Sequence, residues 1–334
     1  MATIYQVSEL AGVSLATVSR VMNKNARVSE KTTKKVEEAM ETLGYRPNSM
    51  ARSLASNRSN SVGLLVSEVH GPFYGAMMSG IESELRASGM HVIIAAGHSE
   101  EATEKDGIEF LIDRSCDALI LHVEAVSDEY LLELSRGRTP FVLINRDVES
   151  IEDNCICLDN ELGGYLATRS VLDQGHTHIA YISGPLWKKD AKERYLGHQR
   201  ALQESGLTQS SSLSFEGDFQ AEGGSQGMRH LLASPDAFTA VVCGNDEMAS
   251  GAMDEVRDQG LAIPGNISVQ GFDNVGFSNY MFPKLSTVDY PVEAMGVMAA
   301  RWVLKNVYNK NDLAVKNVFR PKLIARDSVK KLPR

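Results

Sequence analysis

Cysteine is scarce in this sequence. Four residues in 334, Cys116, Cys155, Cys157 and Cys243, are too few for the disulfide framework on which small secreted domains depend. Reduced thiols are therefore expected. Cys155 and Cys157 fall on one face of a probable strand in CICLD, but no set of Cys and His has zinc-site spacing, so no metal site is expected. Long apolar runs are missing too. Nowhere do eighteen consecutive apolar residues occur, and the start MATIYQVSEL lacks a basic segment followed by an apolar one, which excludes a membrane-spanning helix and a secretory leader. A soluble, cytoplasmic protein without a membrane partner is expected. The sequence also lacks the signatures of common chemistries: no GxGxxG follows the first strand, no GxxxxGK[ST] occurs, and no GxSxG elbow joins a strand to a helix. GDFQAEGGSQG is glycine-rich but has neither the lysine nor the placement of a phosphate cradle. His176 and His178 in GHTH have no partner acid at a legible spacing. Neither catalysis nor a cofactor is expected.

What is present is a large apolar fraction, 43%, enough to bury a sizeable core in two or three domains. The formal charge of -9 argues against a surface made throughout for phosphate, but a sum can hide a local patch. The first 60 residues hold nine Lys or Arg against five Asp or Glu, and the rest of the chain 25 against 38. The N-terminus is a basic island on an acidic body.

Residues 3 to 45 read as three short helices. Val7, Leu10 and Ala11 repeat at helical spacing in the first, which Gly12 stops at a left-handed cap. Ser14 is the N-cap of the second, with Val18, Val21 and Met22 on one apolar face. The third starts at Ser29, buries Val36, Ala39, Met40 and Leu43, and ends at Gly44. RPNSMARSLASNRSNS then forms a polar linker holding a brief helix-capable segment from Asn48 to Ala55. From Val62 onward, VGLLVS, HVIIAAG, ALILHV, FVLIN, CICLD, IAYISG, AVVCG, ISVQGF and LSTVDY read as strands alternating with helices. That pattern implies parallel sheets covered on both faces. The length suggests two similar lobes, with a crossover near 155 to 165 and late strand exchange near 285 to 320. Ligands of such sheets sit beyond the carboxyl ends of the strands, which two lobes bring together across a cleft.

The second helix, in GVSLATVSRVMN, turns Leu15, Ala16, Ser19 and Arg20 away from its apolar face. A helix exposed only to water has no use for Leu15. The set suits base reading, because Arg takes guanine O6 and N7 with two hydrogen bonds while Leu and Ala meet thymine methyls. Helix, short turn and second helix is the helix-turn-helix arrangement. Periodicity alone leaves this reading and a surface helix with one stray leucine both open.

IYQVSELAGVSLATVSRVMN, VSEKTTKKVEEAMETLGYRPN and ARSLA resemble the N-terminal headpiece of the LacI family of bacterial transcription repressors. GPFYGAM, LINR, GHTHIAYISGP, ERYLG, NDEMASGAM, ISVQGFDN and RPKLIARDS are similar to that family's effector-binding core, with the galactose-type repressors nearest in pattern. The resemblance implies an all-α helix-turn-helix headpiece, 1–46, a hinge, 47–61, and an α/β two-lobed core of the periplasmic-binding-protein kind, 62–334. It implies that Leu15, Ala16 and Arg20 read bases, and that Ser14, Thr17, Ser19, Asn23 and Ser29 contact or orient on phosphate, the last at a helix N-terminus. It also implies a hinge helix in the minor groove through Asn48, Ala51 and Leu54, with Leu54 wedged into a central base step. Leu54 packed on the core is the alternative, though so short a helix is unstable alone.

In the core the resemblance points to effector contacts at Phe73, Tyr74, Met77, Asn145, Asp159, Arg194, Phe219, Asn245, Asp273 and Tyr290. The mixture suits a sugar: aromatic surface for the ring's C–H face, and charged or amide groups for paired hydroxyls. Each also has a structural reading, since Asn or Asp after a strand commonly caps a helix and Phe73 or Met77 fits an interlobe core. Trp187 beside Lys188 is placed at the cleft mouth. The expectation is a homodimeric repressor on pseudo-palindromic double-stranded operator DNA, released by a galactose-like small-molecule effector. The chain ends SVKKLPR without a leucine heptad, so a dimer rather than a tetramer is expected. A same-fold regulator answering to a nucleoside or purine, and a sugar-binding transport module, remain as alternatives.

Overall fold

Thr3 opens the first helix with a reciprocal cap: its hydroxyl accepts the Gln6 N–H, and the Gln6 side chain accepts the Thr3 N–H at 2.8 Å. The computed structural model describes residues 2–23, 28–45 and 58–333. Helix α1 (Ile4–Ala11) ends at Gly12, whose φ of 63° is the left-handed turn that glycine adopts without a Cβ penalty. Ser14 caps α2 (Leu15–Asn23), accepting the Thr17 N–H at 3.2 Å, and Ser29 caps α3 (Glu30–Thr42) through the Thr32 N–H. Val7, Ala11, Val18, Val36 and Ala39 form the core of this unit, with Val21, Met22, Met40 and Leu43 packed round it. Leu10 departs from its expected place. It is 54% exposed, because Val7 and Ala11, four apart, already occupy the inward stripe of α1.

From Ser61 the chain alternates strand and helix: β1 (Ser61–Val66), α4 (Pro72–Ala87), β2 (His91–Ala96), α5 (Glu101–Asp113), β3 (Ala118–Leu121), α6 (Asp128–Ser135), β4 (Phe141–Ile144) and β5 (Cys155–Leu158). The second lobe follows with α7 (Asn160–Leu172), β6 (Ile179–Ser183), α8 (Lys189–Glu204), β7 (Ser214–Glu216), α9 (Ala221–Leu232), β8 (Ala240–Cys243), α10 (Asp246–Asp258), β9 (Ser268–Gln270) and β10 (Thr287–Asp289). Helix α11 (Val292–Asn306) and β11 (Val318–Phe319) return to the first lobe, and β12 (Lys322–Ile324) pairs antiparallel with β10. The first sheet runs β11-β5-β4-β3-β1-β2 and the second β7-β6-β8-β9, both parallel throughout. The chain thus crosses between lobes after β5, after β10 and after β11, within the stretches 155–165 and 285–320 where the crossover and the late exchange were expected. Strands β7, β11 and β12, of two or three residues each, are too short to show a periodicity.

Three helix pairs cross at glycines. Gly80 on α4 and Gly296 on α11, Gly164 on α7 and Gly197 on α8, and Gly224 on α9 and Gly251 on α10 each face a backbone carbonyl of the partner helix so closely that a Cβ would collide with it. Backbones therefore touch where side chains would otherwise intervene, and the helices are fixed in register as well as direction. Helix α11 adds Val292, Met295, Ala299 and Val303 to the core beside Met77, Ile81 and Leu85 of α4. The chain divides into two compact units, Met1–Asn60 and Ser61–Arg334. Among the described residues no helix is long and apolar enough to cross a membrane, and the four cysteines are free.

Candidate functional site: the interlobe cleft and the second helix

On α2 the apolar face is spent on Val18, fully buried, while Leu15, 36% exposed, Ala16 and Arg20 face outward. The first turn holds no acid, so nothing there opposes an approaching phosphate. The Ser14 and Thr17 hydroxyls hydrogen-bond each other at 2.9 Å beside the helix start. Ser19 is half-buried, Asn23 is the last residue of α2, and Ser29 caps α3 with its hydroxyl 2.9 Å from that of Thr32. The hinge positions Asn48, Ala51 and Leu54 lie outside the described residues.

In the core, the carboxyl ends of both sheets meet around a cavity of about 260 Å³. Loops after β1, β2 and β3 form one wall, and the turn before α8 with the loops after β7, β8 and β9 forms the other. Phe219 and Asp273, at φ 68° and 106°, and Asn145 behind the cavity, at φ 59°, sit in the left-handed region. Non-glycine residues rarely hold that conformation unless the surroundings impose it, and such residues gather at functional sites.

Arg194 is the centre of the second-lobe wall. Its guanidinium lies 3.9 Å from the Phe272 ring centroid and donates to Asn160 Oδ1 at 3.0 Å and to the Gly244 carbonyl at 2.7 Å. Asp273 and Asp190 stand at 3.5 and 3.7 Å from it. Its position is set by the glycine seam, since the Arg194 carbonyl is what a Cβ on Gly164 would strike. Burial pushes the Asp273 carboxyl up to about 7, against the downward pull of Arg194. A proton donor and acceptor thus coexist there near neutral pH.

The facing wall is aromatic and acidic. Phe73 stands edge-to-face on Tyr74, with ring centroids 5.3 Å apart, and on Tyr290 at 4.9 Å. Glu124 accepts from Lys188 at 2.7 Å and from Ser67 at 3.2 Å, and also from Ser99. Burial would raise its carboxyl, but His122 and Lys188 outweigh that and hold it below the usual range. Its loop is held in turn by Glu104, fully buried on α5, whose carboxylate accepts the N–H groups of Glu124, Ala125 and Val126 at 2.8 to 2.9 Å. Among the described residues no cluster of His, Cys, Asp or Glu is arranged to hold a metal ion.

Of the residues singled out from the sequence, Phe73, Tyr74, Arg194, Phe219, Asn245 and Asp273 line the cavity. Met77 does not. It is fully buried in the core, one helical turn beyond Phe73 and on the packed face of α4. Asp159 caps α7 by accepting the Leu162 N–H, which places it at the crossover. Asn145 stands one layer behind the wall, donating to Asp190 and accepting from Asn160, and Tyr290 supports Phe73 from the buried side. Asn245 combines both readings: its Oδ1 caps α10 through the Met248 N–H, and its Nδ2 donates to the Phe219 carbonyl. Trp187 is 58% exposed and outside this lining. The sequence reading missed Glu68, Ser99, His122, Glu124, Asp190, Asp218 and Glu247 as cavity residues. Most of them follow an apolar strand by one to four residues.

A helix-turn-helix unit joined to a two-lobed α/β binding fold defines a ligand-responsive DNA-binding protein. Residues 3–48 match the model of bacterial regulatory proteins of the lacI family, and residues 168–329 that of a periplasmic binding protein-like domain. The transcriptional regulator GalR of Escherichia coli K12 is 42% identical over 98% of this chain and 96% of its own length, and the repressor PurR of Aliivibrio salmonicida is 34% identical over 99% and 100%. The lac repressor dimer bound to operator and anti-inducer, at 27% identity, superposes with a TM-score of 0.88 over 98% of this chain and 99% of that one. The chain belongs to the LacI family. It is a DNA-binding transcription repressor and not an enzyme.

Proposed function

We propose that the protein is a homodimeric repressor of sugar-utilisation genes, released from a pseudo-palindromic operator by a small neutral sugar of the galactose type. The observation that carries the effector class is the pairing of Arg194, Asn245 and Asp273 on one wall with the Phe73–Tyr74 edge on the other. Forked donors and acceptors opposite an aromatic surface are what a pyranose needs. The similarity to GalR supports the same reading. The segment 1–46 reads DNA through Leu15, Ala16 and Arg20, with phosphate contacts from Ser14, Thr17, Ser19, Asn23 and Ser29. Residues 47–61 act as the hinge, with Asn48, Ala51 and Leu54 in the minor groove, and 62–334 bind effector and dimerise. A DNA partner places the protein in the cytoplasm.

Closure on a sugar weakens operator binding only through differential affinity for the two lobe arrangements, and a tenfold loss corresponds to about 1.4 kcal/mol. Fluorescence anisotropy with a palindromic duplex, titrated with galactose at fixed salt, tests this. Loss of anisotropy supports it, and galactose-independent binding removes it. The aromatic triad of Phe73, Tyr74 and His122 and the similarity to PurR favour one second reading, a purine or nucleoside stacked in the same cleft. A thermal shift given by guanosine or hypoxanthine and withheld by hexoses selects it.

A further inference from the structure

An ion pair bridges the two lobes inside the cleft. Lys188 comes from the second-lobe turn before α8 and Glu124 from the first-lobe loop after β3; their Nζ and Oε2 atoms are 2.7 Å apart and each side chain is 12% exposed. Glu124 Oε2 also accepts from Ser67 and Ser99, and Lys188 donates to Ser99 Oγ at 3.0 Å. Because Glu104 pins the backbone that carries Glu124, the first-lobe half of the pair is a fixed post. Lys188 is the part that leaves when the lobes separate. Removing one partner would leave the other charge buried and uncompensated whenever the lobes close, a penalty that closure would then carry.

The pair also stands in a partition. Glu124 lines both the inner cavity and an outer one of about 490 Å³, whose wall includes the exposed Trp187, Ser127 and Arg146. Lys188 Nζ lies 5.4 Å from the Trp187 ring centroid on the outer side and 5.8 Å from that of Phe219 on the inner side. The inner cavity, about 260 Å³, is below the usual ~300–1,000 Å³ of ligand pockets and has room for one sugar ring. An indole face half open to solvent offers a second ring the apolar surface it stacks on.

We propose that Lys188 and Glu124 latch the lobes across this partition and restrict the effector to a single ring, and that breaking the latch joins the two cavities so that a two-ring glycoside places its second ring on Trp187. This rests on the sugar reading of the cleft. Isothermal titration of the full-length protein with galactose and with lactose provides the test, on wild type, Lys188→Met, the conservative Glu124→Gln and the swapped pair Glu124→Lys/Lys188→Glu.

Each single variant is expected to bind galactose about tenfold more weakly, as closure loses the pair, and to bind lactose more tightly than wild type does. Trp187→Ala in the Lys188→Met background is expected to abolish the lactose gain. The swapped pair is expected to return the lactose-to-galactose ratio toward that of wild type, which a role as two separate sugar contacts does not produce. A ratio unchanged in both single variants overturns the latch, as does a ratio shifted in both but not restored by the swap. If wild type binds neither sugar, the sugar reading fails instead. The latch is then read by small-angle scattering of the effector-free protein, where Lys188→Met enlarges the radius of gyration and an unchanged radius refutes it.

Discussion

Replacing Arg194 with methionine keeps most of the side chain's length and removes its charge. Two hydrogen bonds are lost, to Asn160 and Gly244, Asp190 loses a nearby cation, and Asp273 is left buried without its own. Breaking a buried pair from one side costs about 3–5 kcal/mol when the remaining charge stays ionised. Asp273 limits that cost because burial has already raised its carboxyl to about 7. At pH 6 it is mostly neutral in both proteins, and the variant loses chiefly the two hydrogen bonds, about 2–3 kcal/mol. At pH 8 wild type holds it ionised against Arg194, whereas the variant must keep it protonated or bury it charged, at about 1.4 kcal/mol per unit of further upward shift.

The sign follows from linkage. A folded-state carboxyl raised above its unfolded value gives stability that is full at low pH and is lost as pH rises through the folded value. A still higher value in the variant extends that loss upward. The destabilisation by Arg194→Met should therefore grow between pH 6 and 8, measured as the shift in urea midpoint at constant m-value. Glu193 titrates in the same window, burial pushing it up to about 7 as well and Arg194 pulling it down, so the comparison is made in a Glu193→Gln background. There, adding Asp273→Asn should flatten the growth. A destabilisation independent of pH, or one whose slope survives Asp273→Asn in that background, refutes the assignment.

Gly164→Ala should destabilise by about 1–3 kcal/mol, the usual range for overpacking, and weaken galactose binding as well, because the clash falls on the carbonyl of Arg194; lost stability with unchanged effector affinity would separate the seam from the site. His198 is fully buried and burial lowers it to about 4, so its contribution is present above the ordinary histidine value and lost as pH falls from 6.5 to 4. His198→Met forfeits the hydrogen bonds to Thr168 and Gln209, and its deficit in urea unfolding should shrink from pH 7.5 to pH 5; a constant deficit contradicts that. Arg20→Ala should cost about 1–3 kcal/mol of operator affinity and relax one base position in a binding-site selection. Leu54→Ala should lose most operator affinity in a gel-shift titration while galactose still binds, and unchanged operator affinity removes the wedge.

The fold was legible where periodicity had length to act. Nine apolar runs announced nine of the strands, and the two-lobed reading follows from an alternating stretch too long for one domain. Leu10 misled because a helix face is chosen by what packs on it, and α1 meets its neighbours through Ile4, Val7 and Ala11. The glycine seams were also hidden. ELGGYLATR and ERYLGH look like weakened helices until their close contact makes glycine at those positions a steric requirement.

The cleft was half legible, and the division has a physical basis. Arg194, Asn245 and Asp273 lie in ERYLG, NDEMASGAM and ISVQGFDN, segments whose resemblance to a known effector-binding core pointed to them. Glu124, Ser99 and Lys188 are ordinary surface types in sequence, and they acquire meaning only because three separate loops bring them together. Chain order cannot show that convergence, since Lys188 and Glu124 are 64 positions apart and belong to different lobes. The residues most open to misreading in sequence are therefore those that join the lobes. Their interactions depend on lobe arrangement, and it is there that an effector has differential affinity to exploit. Residues that merely touch a ligand within one lobe add affinity without shifting the equilibrium. If closure governs operator binding, substitutions across the lobe seam should alter repression without any effector present, and substitutions confined to one wall should alter only the response to it.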